Sequence, residues 1–272
     1  MYFFMSQIVS IIGYGCVGKA IKDSLHIKNI QVLYYDKYKE SNSFEECLKS
    51  NIMFICVPTN FDNVTKEYNK KNLYESIEYL SKNNYQGIVV NKSTVEPLTI
   101  NNLSCKYSNI KLVNNPEFLS SDTAFEDFHN QKHIILGKTK NIKEEDFNKI
   151  NNFYKTNYQD AEISICSDTE SEYIKIFCNT FYAVKIQFFN ELYLSCNQNN
   201  CNYDLIKNTM IKNGWINKMH TDVPGKDGKI SYGGMCFPKD TNALLNFLKN
   251  QNTPYKLIES CIEERNQLRD GK

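Results

Sequence analysis

The sequence has very few arginines and almost no net charge. Arg265 and Arg269 are its only two arginines, while lysine and arginine together number 32 against 31 aspartates and glutamates. A formal charge of +1 creates no overall field that would attract nucleic acid or an anionic membrane. Anion binding before residue 265 must therefore use lysines, backbone amides or helix N-termini. We expect neither a nucleic-acid partner nor a membrane partner.

The sequence also lacks a metal-binding cysteine pattern and a targeting segment. Its ten cysteines form no CxxC pair and no cluster with histidine, so we predict no metal site. Several lie in apolar runs, as Cys56 does, where a reduced thiol behaves as a small hydrophobe, which is typical of a reducing compartment. Residues 1–5 are too short for a signal-peptide core, and no apolar run approaches a membrane span. These absences predict a cytoplasmic protein.

The first part of the chain has the pattern of an α/β fold. Up to about residue 166, short apolar runs rich in β-branched residues alternate with amphipathic stretches. The runs are residues 8–12, 32–35, 52–57, 88–90, 111–113 and 134–136. This alternation predicts a Rossmann-like, doubly wound parallel sheet with helical crossovers. Most runs are apolar without strict alternation, as expected for strands that are covered on both faces.

The remainder of the chain is predicted to be helical. Residues from Asp168 to about Gln198 contain neither proline nor glycine and keep helical spacing, which predicts one long central helix of about 45 Å. We expect this helix to carry a homodimer interface, the alternative being a buried core helix. A glycine-rich loop at 214–234 and helical stretches at 241–249 and 255–268 follow. We therefore divide the chain into an α/β domain, residues 1–166, and a helical domain, residues 167–272.

A glycine-rich fingerprint lies between the first strand and the first helix. Residues 11–18 read IIGYGCVG, which contains the GxGxxG pattern. Asp36 follows the next strand, where its carboxylate would accept hydrogen bonds from an adenosine ribose. A carboxylate there favours NAD over NADP, although Lys37 and Lys39 beside it weaken the preference. The predicted NAD contacts of this region are Gly13, Gly15, Cys16, Val17, Gly18, Asp36 and Lys37.

A candidate nucleophile lies in the GGMCFPKD stretch, residues 233–240. Pro238 after the glycine pair indicates a helix start, which would place Cys236 where the helix dipole and backbone amides stabilise a thiolate. Asp240 would lie one turn further on, able to hold water or a proton. Lys175 and Asn179 share one face of the long helix, where they could stabilise an oxyanion. Taken alone, Cys236 could instead be a packing residue and the pair a solvated face.

These motifs and other ordered stretches resemble the UDP-glucose/GDP-mannose dehydrogenase family, most closely its UDP-glucose dehydrogenase members. The further stretches are CVPT (56–59), NKSTV (91–95), NPEFL (115–119), TAFEDF (123–128), residues 172–179, FNEL (189–192) and VPGKDG (223–228). The resemblance implies the four-electron oxidation of UDP-glucose to UDP-glucuronate with two NAD. Cys236 would hold the aldehyde as a thiohemiacetal and then as a thioester, which water hydrolyses.

The resemblance also implies roles for individual residues. Lys175 and Asn179 would stabilise oxyanions, and Asp240 would order water or assist proton transfer. Glu117 would act in thioester hydrolysis, and Thr94 would support the water and the cofactor. The other implied cofactor contacts are Val57, Pro58, Thr59 and Lys239. The implied substrate contacts are Glu117, Phe118, Leu119, Lys175, Asn179, Tyr232 and Gly233.

The chain departs from the family pattern in three places. Residues 118–124 read FLSSDTA where members often have FLREGTA, and residues 95–99 read VEPLT where they commonly have VPPGT. Typical members also continue into a third domain that helps to bind the nucleotide, whereas this sequence stops at Lys272, so we expect a short form. Two alternatives stay open: a GDP-mannose or UDP-N-acetylhexosamine dehydrogenase, and a truncated paralogue that binds NAD without catalysis.

Overall fold

The computed structural model describes residues 7–271, so the N-terminal stretch judged too short for a signal peptide lies outside the described residues. The described chain forms two compact units. The first contains residues 7–60 and 68–175, and the second contains residues 61–67 and 176–271. The division thus falls inside a helix, beyond the domain boundary that we propose at residue 166. Between residues 7 and 271, no helix is long and apolar enough to cross a membrane.

The first unit is built on a seven-stranded sheet. In chain order the strands of both units, over residues 7–271, are β1 (Ile8–Ile12), β2 (Gln31–Tyr35), β3 (Ile52–Ile55), β4 (Phe61–Asp62), β5 (Glu67–Tyr68), β6 (Ile88–Asn91), β7 (Lys111–Asn114), β8 (His133–Lys138) and β9 (Glu162–Ser167). The sheet has the order β2-β1-β3-β6-β7-β8-β9, while β4 and β5 form a short hairpin. Each predicted apolar run coincides with a strand, which confirms the α/β fold class.

The predicted parallel sheet contains one antiparallel pair of strands. β7 and β8 are antiparallel, whereas the other neighbouring strands of the sheet are parallel. The helix between β7 and β8, Ala124–His129, has six residues and rises about 9 Å. The direction of β8 is opposite to that of β7, and it is shared by β9, which is parallel to β8.

Ten helices are found among residues 7–271. They are α1 (Cys16–Ile27), α2 (Phe44–Cys47), α3 (Lys71–Lys82), α4 (Thr99–Lys106), α5 (Ala124–His129), α6 (Glu144–Asn157), α7 (Asp168–Gln198), α8 (Tyr203–Ile211), α9 (Phe237–Asn250) and α10 (Lys256–Asp270). The bounds of α7 confirm the predicted long helix. α9 begins before the predicted residue 241, because Pro238 occupies its first turn, where a missing N–H costs nothing.

The sheet carries apolar side chains on both faces, as its uninterrupted apolar strands require. One core cluster contains Val9, Ile11 and Phe54. A second contains Ile12, Met53 and Ile55. Because successive side chains of a strand point to opposite faces, these alternating residues of β1 and β3 build a core above and below the sheet. The carboxyl ends of the parallel strands β1, β2, β3 and β6 therefore share one edge of a rigid layer.

Candidate active site

The glycine loop has the shape expected of a dinucleotide-binding turn. Gly13 has φ +94°, and a Cβ there would lie 2.6 Å from the Cys56 carbonyl oxygen. A Cβ on Gly18 would lie 2.1 Å from the Gly13 carbonyl oxygen, so both glycines are required by the protein's own backbone. At Gly15, by contrast, a Cβ would meet nothing within 4 Å. The space at the N-terminus of α1 therefore fits a pyrophosphate that approaches backbone amides.

Asp36 lies at the end of β2 and also anchors this loop. Its carboxylate accepts hydrogen bonds from the backbone N–H of Tyr14 at 2.8 Å and of Tyr38 at 2.9 Å. Each carboxylate oxygen keeps a second acceptor position, which a ribose hydroxyl could use as predicted. Lys37 is exposed, and Lys39 donates to the Tyr14 carbonyl. The sequence predicted that Asp36 binds the cofactor, but it did not predict that the carboxylate also anchors the glycine loop.

Two hydrogen bonds join the segments that follow β3 and β6. In each, a side-chain hydroxyl of one segment donates to a backbone carbonyl oxygen of the other. The Thr59 hydroxyl donates to the Thr94 carbonyl at 2.6 Å, and the Ser93 hydroxyl donates to the Val57 carbonyl at 2.7 Å. Thr59 is buried, Val57 and Thr94 are half-buried, and Pro58 is exposed. The predicted cofactor contacts of the two stretches are thus held together at one edge of the sheet.

Lys175 and Glu117 form a buried ion pair in the first unit. The Lys175 Nζ lies 3.2 Å from the Glu117 Oε1 and 5.0 Å from the centre of the Phe118 ring. It also donates to the Glu117 carbonyl oxygen. The Glu117 Oε2 accepts the backbone N–H of Leu119 at 2.8 Å. Four of the predicted substrate contacts therefore lie together, and they combine an ammonium with a carboxylate.

Two buried ionisable residues of this unit were missed as site candidates. Lys92 donates to the Asn115 Oδ1 at 2.9 Å, and burial lowers its pKa to about 8. Glu172 accepts the backbone N–H of Leu98 at 2.7 Å and of Ile100 at 2.8 Å, and burial raises its pKa to about 8. Both residues lie in stretches that carry the family resemblance. Glu172 satisfies amides at the start of α4, which is a structural role.

In the second unit, Cys236 is an exposed residue at the N-cap position of α9. Asp240 lies one turn later and donates its backbone N–H to the Cys236 carbonyl oxygen at 3.0 Å. The Asp240 carboxylate is fully buried and accepts from the Asn179 Nδ2 at 2.6 Å and from the Lys239 Nζ at 2.5 Å. The expected helix start at Cys236 is thus confirmed, and the Lys239 ammonium contacts a predicted catalytic carboxylate.

Tyr232 requires a narrower interpretation. Only 1% of its surface is exposed, and its ring packs in a cluster with Ala183 and Cys261. Its side chain therefore packs in the core of the second unit, and its predicted contact with the substrate stays a prediction. Gly233, which follows it, is half-buried.

The predicted residues divide between the two units. The first unit holds Gly13, Gly15, Cys16, Val17, Gly18, Asp36, Lys37, Val57, Pro58, Thr59, Thr94, Glu117, Phe118, Leu119 and Lys175. The second unit holds Asn179, Tyr232, Gly233, Cys236, Lys239 and Asp240. The chemistry of the two sets differs: the first offers a dinucleotide-binding turn and an ion pair, and the second offers a thiol at a helix start above a buried carboxylate.

The sheet, the glycine turn and the acidic residue after β2 define a Rossmann-type dinucleotide-binding protein. Sequence comparison makes this class specific. Residues 35–157 match the NAD binding domain of the UDP-glucose/GDP-mannose dehydrogenase family, and residues 169–267 match the central domain of that family. The chain belongs to the UDP-glucose/GDP-mannose dehydrogenase family, as its resemblance indicated, and its cofactor is NAD.

Known proteins extend this comparison. The chain is 31% identical over 243 residues to the UDP-glucose 6-dehydrogenase of Rickettsia bellii, with 87% of this chain and 54% of that protein covered. It thus spans about half the length of this relative. A UDP-glucose dehydrogenase structure from Pyrobaculum islandicum has a TM-score of 0.83 at 21% identity, covering 97% of this chain and 69% of that one. A UDP-D-ManNAc dehydrogenase structure from Pyrococcus horikoshii has a TM-score of 0.80 at 19% identity, covering 96% and 69%.

Proposed function

We propose that this chain catalyses the NAD-dependent, four-electron oxidation of UDP-glucose to UDP-glucuronate, with Cys236 as the nucleophile. The observation that carries the proposal is the position of Cys236 at the start of α9, one turn before a buried carboxylate that Asn179 and Lys239 contact. Backbone amides at a helix start favour a thiolate. A relative at 31% identity that is named UDP-glucose 6-dehydrogenase supports the choice of substrate.

The first oxidation converts the C6 alcohol into an aldehyde. When bound, NAD accepts a hydride from C6 in each of the two oxidations. Lys175 stabilises the negative charge that develops on the C6 oxygen as its proton passes to a water that Asp240 orders. Asn179 has a second amide hydrogen beyond the one that Asp240 accepts, and this hydrogen serves the same oxygen. The thiolate of Cys236 then adds to the aldehyde carbon, and the oxygen gains a proton, which gives a thiohemiacetal.

The second oxidation and hydrolysis complete the reaction. Loss of hydride from the thiohemiacetal carbon, together with the hydroxyl proton, leaves a thioester on Cys236. Glu117, with Thr94 supporting the water, takes a proton from the water that attacks this thioester. The C–S bond breaks, the Cys236 thiolate is regenerated, and UDP-glucuronate leaves. Two hydrides have then been transferred for each sugar.

A substrate panel tests this proposal. Purified chain and NAD are mixed separately with UDP-glucose, GDP-mannose and UDP-N-acetylmannosamine, and NADH is followed by its absorbance. We expect NADH only with UDP-glucose. If NADH formed only with another sugar nucleotide, that sugar nucleotide would be the substrate instead of UDP-glucose. A chain that binds NAD, as measured by calorimetry, but yields no NADH with any of the three would be a binding protein or require a second chain.

We further propose that the chain forms a homodimer through α7. The exposed surface of this helix carries large apolar side chains, including Phe181, 63% exposed, and Phe188, 53% exposed. These two residues lie seven apart and therefore on one face of the helix. A second copy would remove this apolar face from water. Light scattering should show a dimer for the wild type and a monomer for Phe181→Glu, whereas Leu205→Glu on α8 should stay dimeric. A monomeric wild type would refute the proposal.

A cytoplasmic location follows from this mechanism, because the Cys236 thiolate must be kept reduced and glutathione and thioredoxin keep cytosolic thiols in that form. Fractionation of the cells that make the chain tests this location.

A further inference from the structure

The chain's only two arginines lie on α10 and both bind the loop that leads to Cys236. Arg269 donates through Nη1 to the carbonyl oxygens of Ser231 at 2.8 Å and Ile230 at 3.1 Å, and it pairs with Asp227 through Nη2. Arg265 donates through Nε to the Tyr232 carbonyl oxygen at 3.2 Å. Three successive carbonyl groups are therefore held by guanidinium groups of a single helix.

The other side of the same loop is bound by α7. The Asn190 Oδ1 accepts the backbone N–H of Ser231 at 2.7 Å, and the Gln187 Oε1 accepts the Ser231 hydroxyl at 2.5 Å. Gln187 in turn donates to Glu264 on α10 at 2.7 Å. Asn190 and Gln187 are each 2% exposed, so these bonds form away from water. The backbone and side chain of Ser231 are thus bound from two helices.

The loop backbone has an unusual conformation that these contacts maintain. Ser231 has φ +60° and Gly234 has φ +76°, a region that is unfavourable for a residue with a side chain such as serine. A Cβ on Gly233 would lie 2.3 Å from the Arg269 Nη2, so a side chain there would displace the guanidinium from its present position against the loop. The close fit makes the path of residues 230–233 depend on Arg269.

We propose that Arg269, assisted by Arg265, is a positioning residue for Cys236: it holds residues 230–233 so that the thiol stands at the start of α9. Cys236 follows Gly233 by three residues and is the N-cap residue of α9, which begins at Phe237 without a side-chain cap hydrogen bond. The direction in which the chain enters α9 is therefore set by the held loop. A planar fork can bind two carbonyls and a carboxylate at once, and an ammonium cannot reproduce that geometry.

This inference rests on the proposed function, because it concerns the proposed nucleophile of that reaction. In Arg269→Gln, kcat with UDP-glucose should fall roughly tenfold or more while the KM for NAD changes by less than about twofold, since the thiol is displaced and the dinucleotide turn is not. Backbone amides of residues 228–236 should exchange with deuterium about tenfold faster or more. Arg269→Lys should give values of kcat and of the amide exchange rate between those of the wild type and Arg269→Gln. The matched control is Lys256→Gln, which removes a cation from the same helix at an exposed position and should leave both quantities at their wild-type values.

The outcomes separate the two proposals. A kcat for Arg269→Gln that matches the wild type would overturn the positioning role, and so would unchanged amide exchange. Equal losses of kcat and cofactor binding would also overturn it, since they would indicate general unfolding. If Arg269→Gln does not fold, Arg269→Lys and Asp227→Asn supply the same comparison. A wild-type chain without turnover would defeat the proposed function, while the exchange measurement would still decide whether Arg269 holds the loop.

Discussion

The Asn179 side chain donates a 2.6 Å hydrogen bond to Asp240, which connects the long helix α7 to the first turn of α9. The accepting carboxylate is fully buried. A buried carboxylate is costly unless its oxygens accept hydrogen bonds, so Asn179 stabilises the helix start that carries Cys236. The sequence indicated these two residues separately. Asn179 was indicated by its helical spacing from Lys175, and Asp240 by its distance from Cys236.

Removal of this bond should destabilise the chain. Asn179→Ala leaves Asp240 without one donor, so the free energy of unfolding should fall by about 1.5–3 kcal/mol, the range for a hydrogen bond to a charged group. Urea unfolding measures the change. Asn242→Ala, which removes a bond to the Pro238 carbonyl on the same helix, should cost only about 1 kcal/mol. Equal losses of unfolding free energy in the two variants would mean that the hydrogen bond from Asn179 to Asp240 contributes no more than an ordinary one.

Replacement of Cys236 by serine should abolish the overall reaction and spare the cofactor. A serine hydroxyl is a much weaker nucleophile at neutral pH, so the rate of carboxylate formation should fall by roughly 100-fold or more. The affinity for NAD, measured by calorimetry, should not change. Cys201→Ser is the control, because Cys201 is also exposed and belongs to the same unit. Wild-type turnover in Cys236→Ser would eliminate the covalent mechanism.

Loss of the Lys175 ammonium should reduce the catalytic rate more than it reduces NAD affinity. If Lys175 stabilises an oxyanion, Lys175→Met should lower kcat by about 100-fold, the effect of removing one such donor. Steady-state kinetics separate kcat from the KM for NAD. Lys138→Met removes a more exposed lysine from its pair with Glu144 and should have little effect. A result in which NAD affinity falls and kcat is retained would make Lys175 a cofactor contact instead.

Two buried groups predict opposite effects of pH on stability. With its pKa raised to about 8 by burial, Glu172 makes the folded chain hold more protons than the unfolded chain between pH 4.5 and about 8. Stability therefore falls as the pH rises through that window. With its pKa lowered to about 8 by burial, Lys92 makes the folded chain hold fewer protons between about 8 and 10.5, so stability rises there. Each slope should approach on the order of 1 kcal/mol per pH unit.

Urea unfolding of two variants, measured between about pH 5 and pH 10, assigns these slopes. Glu172→Gln should flatten the lower window alone, and Lys92→Met should flatten the upper window alone. If Glu172→Gln kept the wild-type slope below pH 8, its carboxyl would not titrate as its burial implies.

The sequence predicted those features that follow from local periodicity. The apolar runs located the strands of β1, β2, β3, β6, β7 and β8, and the absence of proline and glycine located α7. β9 was missed because its residues are half-buried or exposed, so its apolar pattern is weak. The reversed direction of β8 was missed because the apolar pattern of a strand is the same in either direction.

The departures from the family pattern show where local reasoning was incomplete. Residues 95–99 read VEPLT where family members commonly have VPPGT, so Leu98 replaces a glycine. Leu98 has φ +77°, a left-handed conformation that favours glycine. Glu96 was not assigned a role, yet its carboxylate accepts the backbone N–H of Tyr68 and pairs with Lys70 at 2.8 Å. Such contacts join residues more than 25 positions apart and cannot be inferred from spacing.

The stoichiometry of the reaction tests the central claim most directly. Purified chain is supplied with limiting UDP-glucose and excess NAD, and NADH formed is compared with UDP-glucose consumed and UDP-glucuronate produced. The proposed mechanism predicts two NADH and one UDP-glucuronate for each UDP-glucose, because the Cys236 adduct retains the aldehyde until the second oxidation. One NADH per sugar, with a released aldehyde, would contradict the role of Cys236 in a four-electron oxidation.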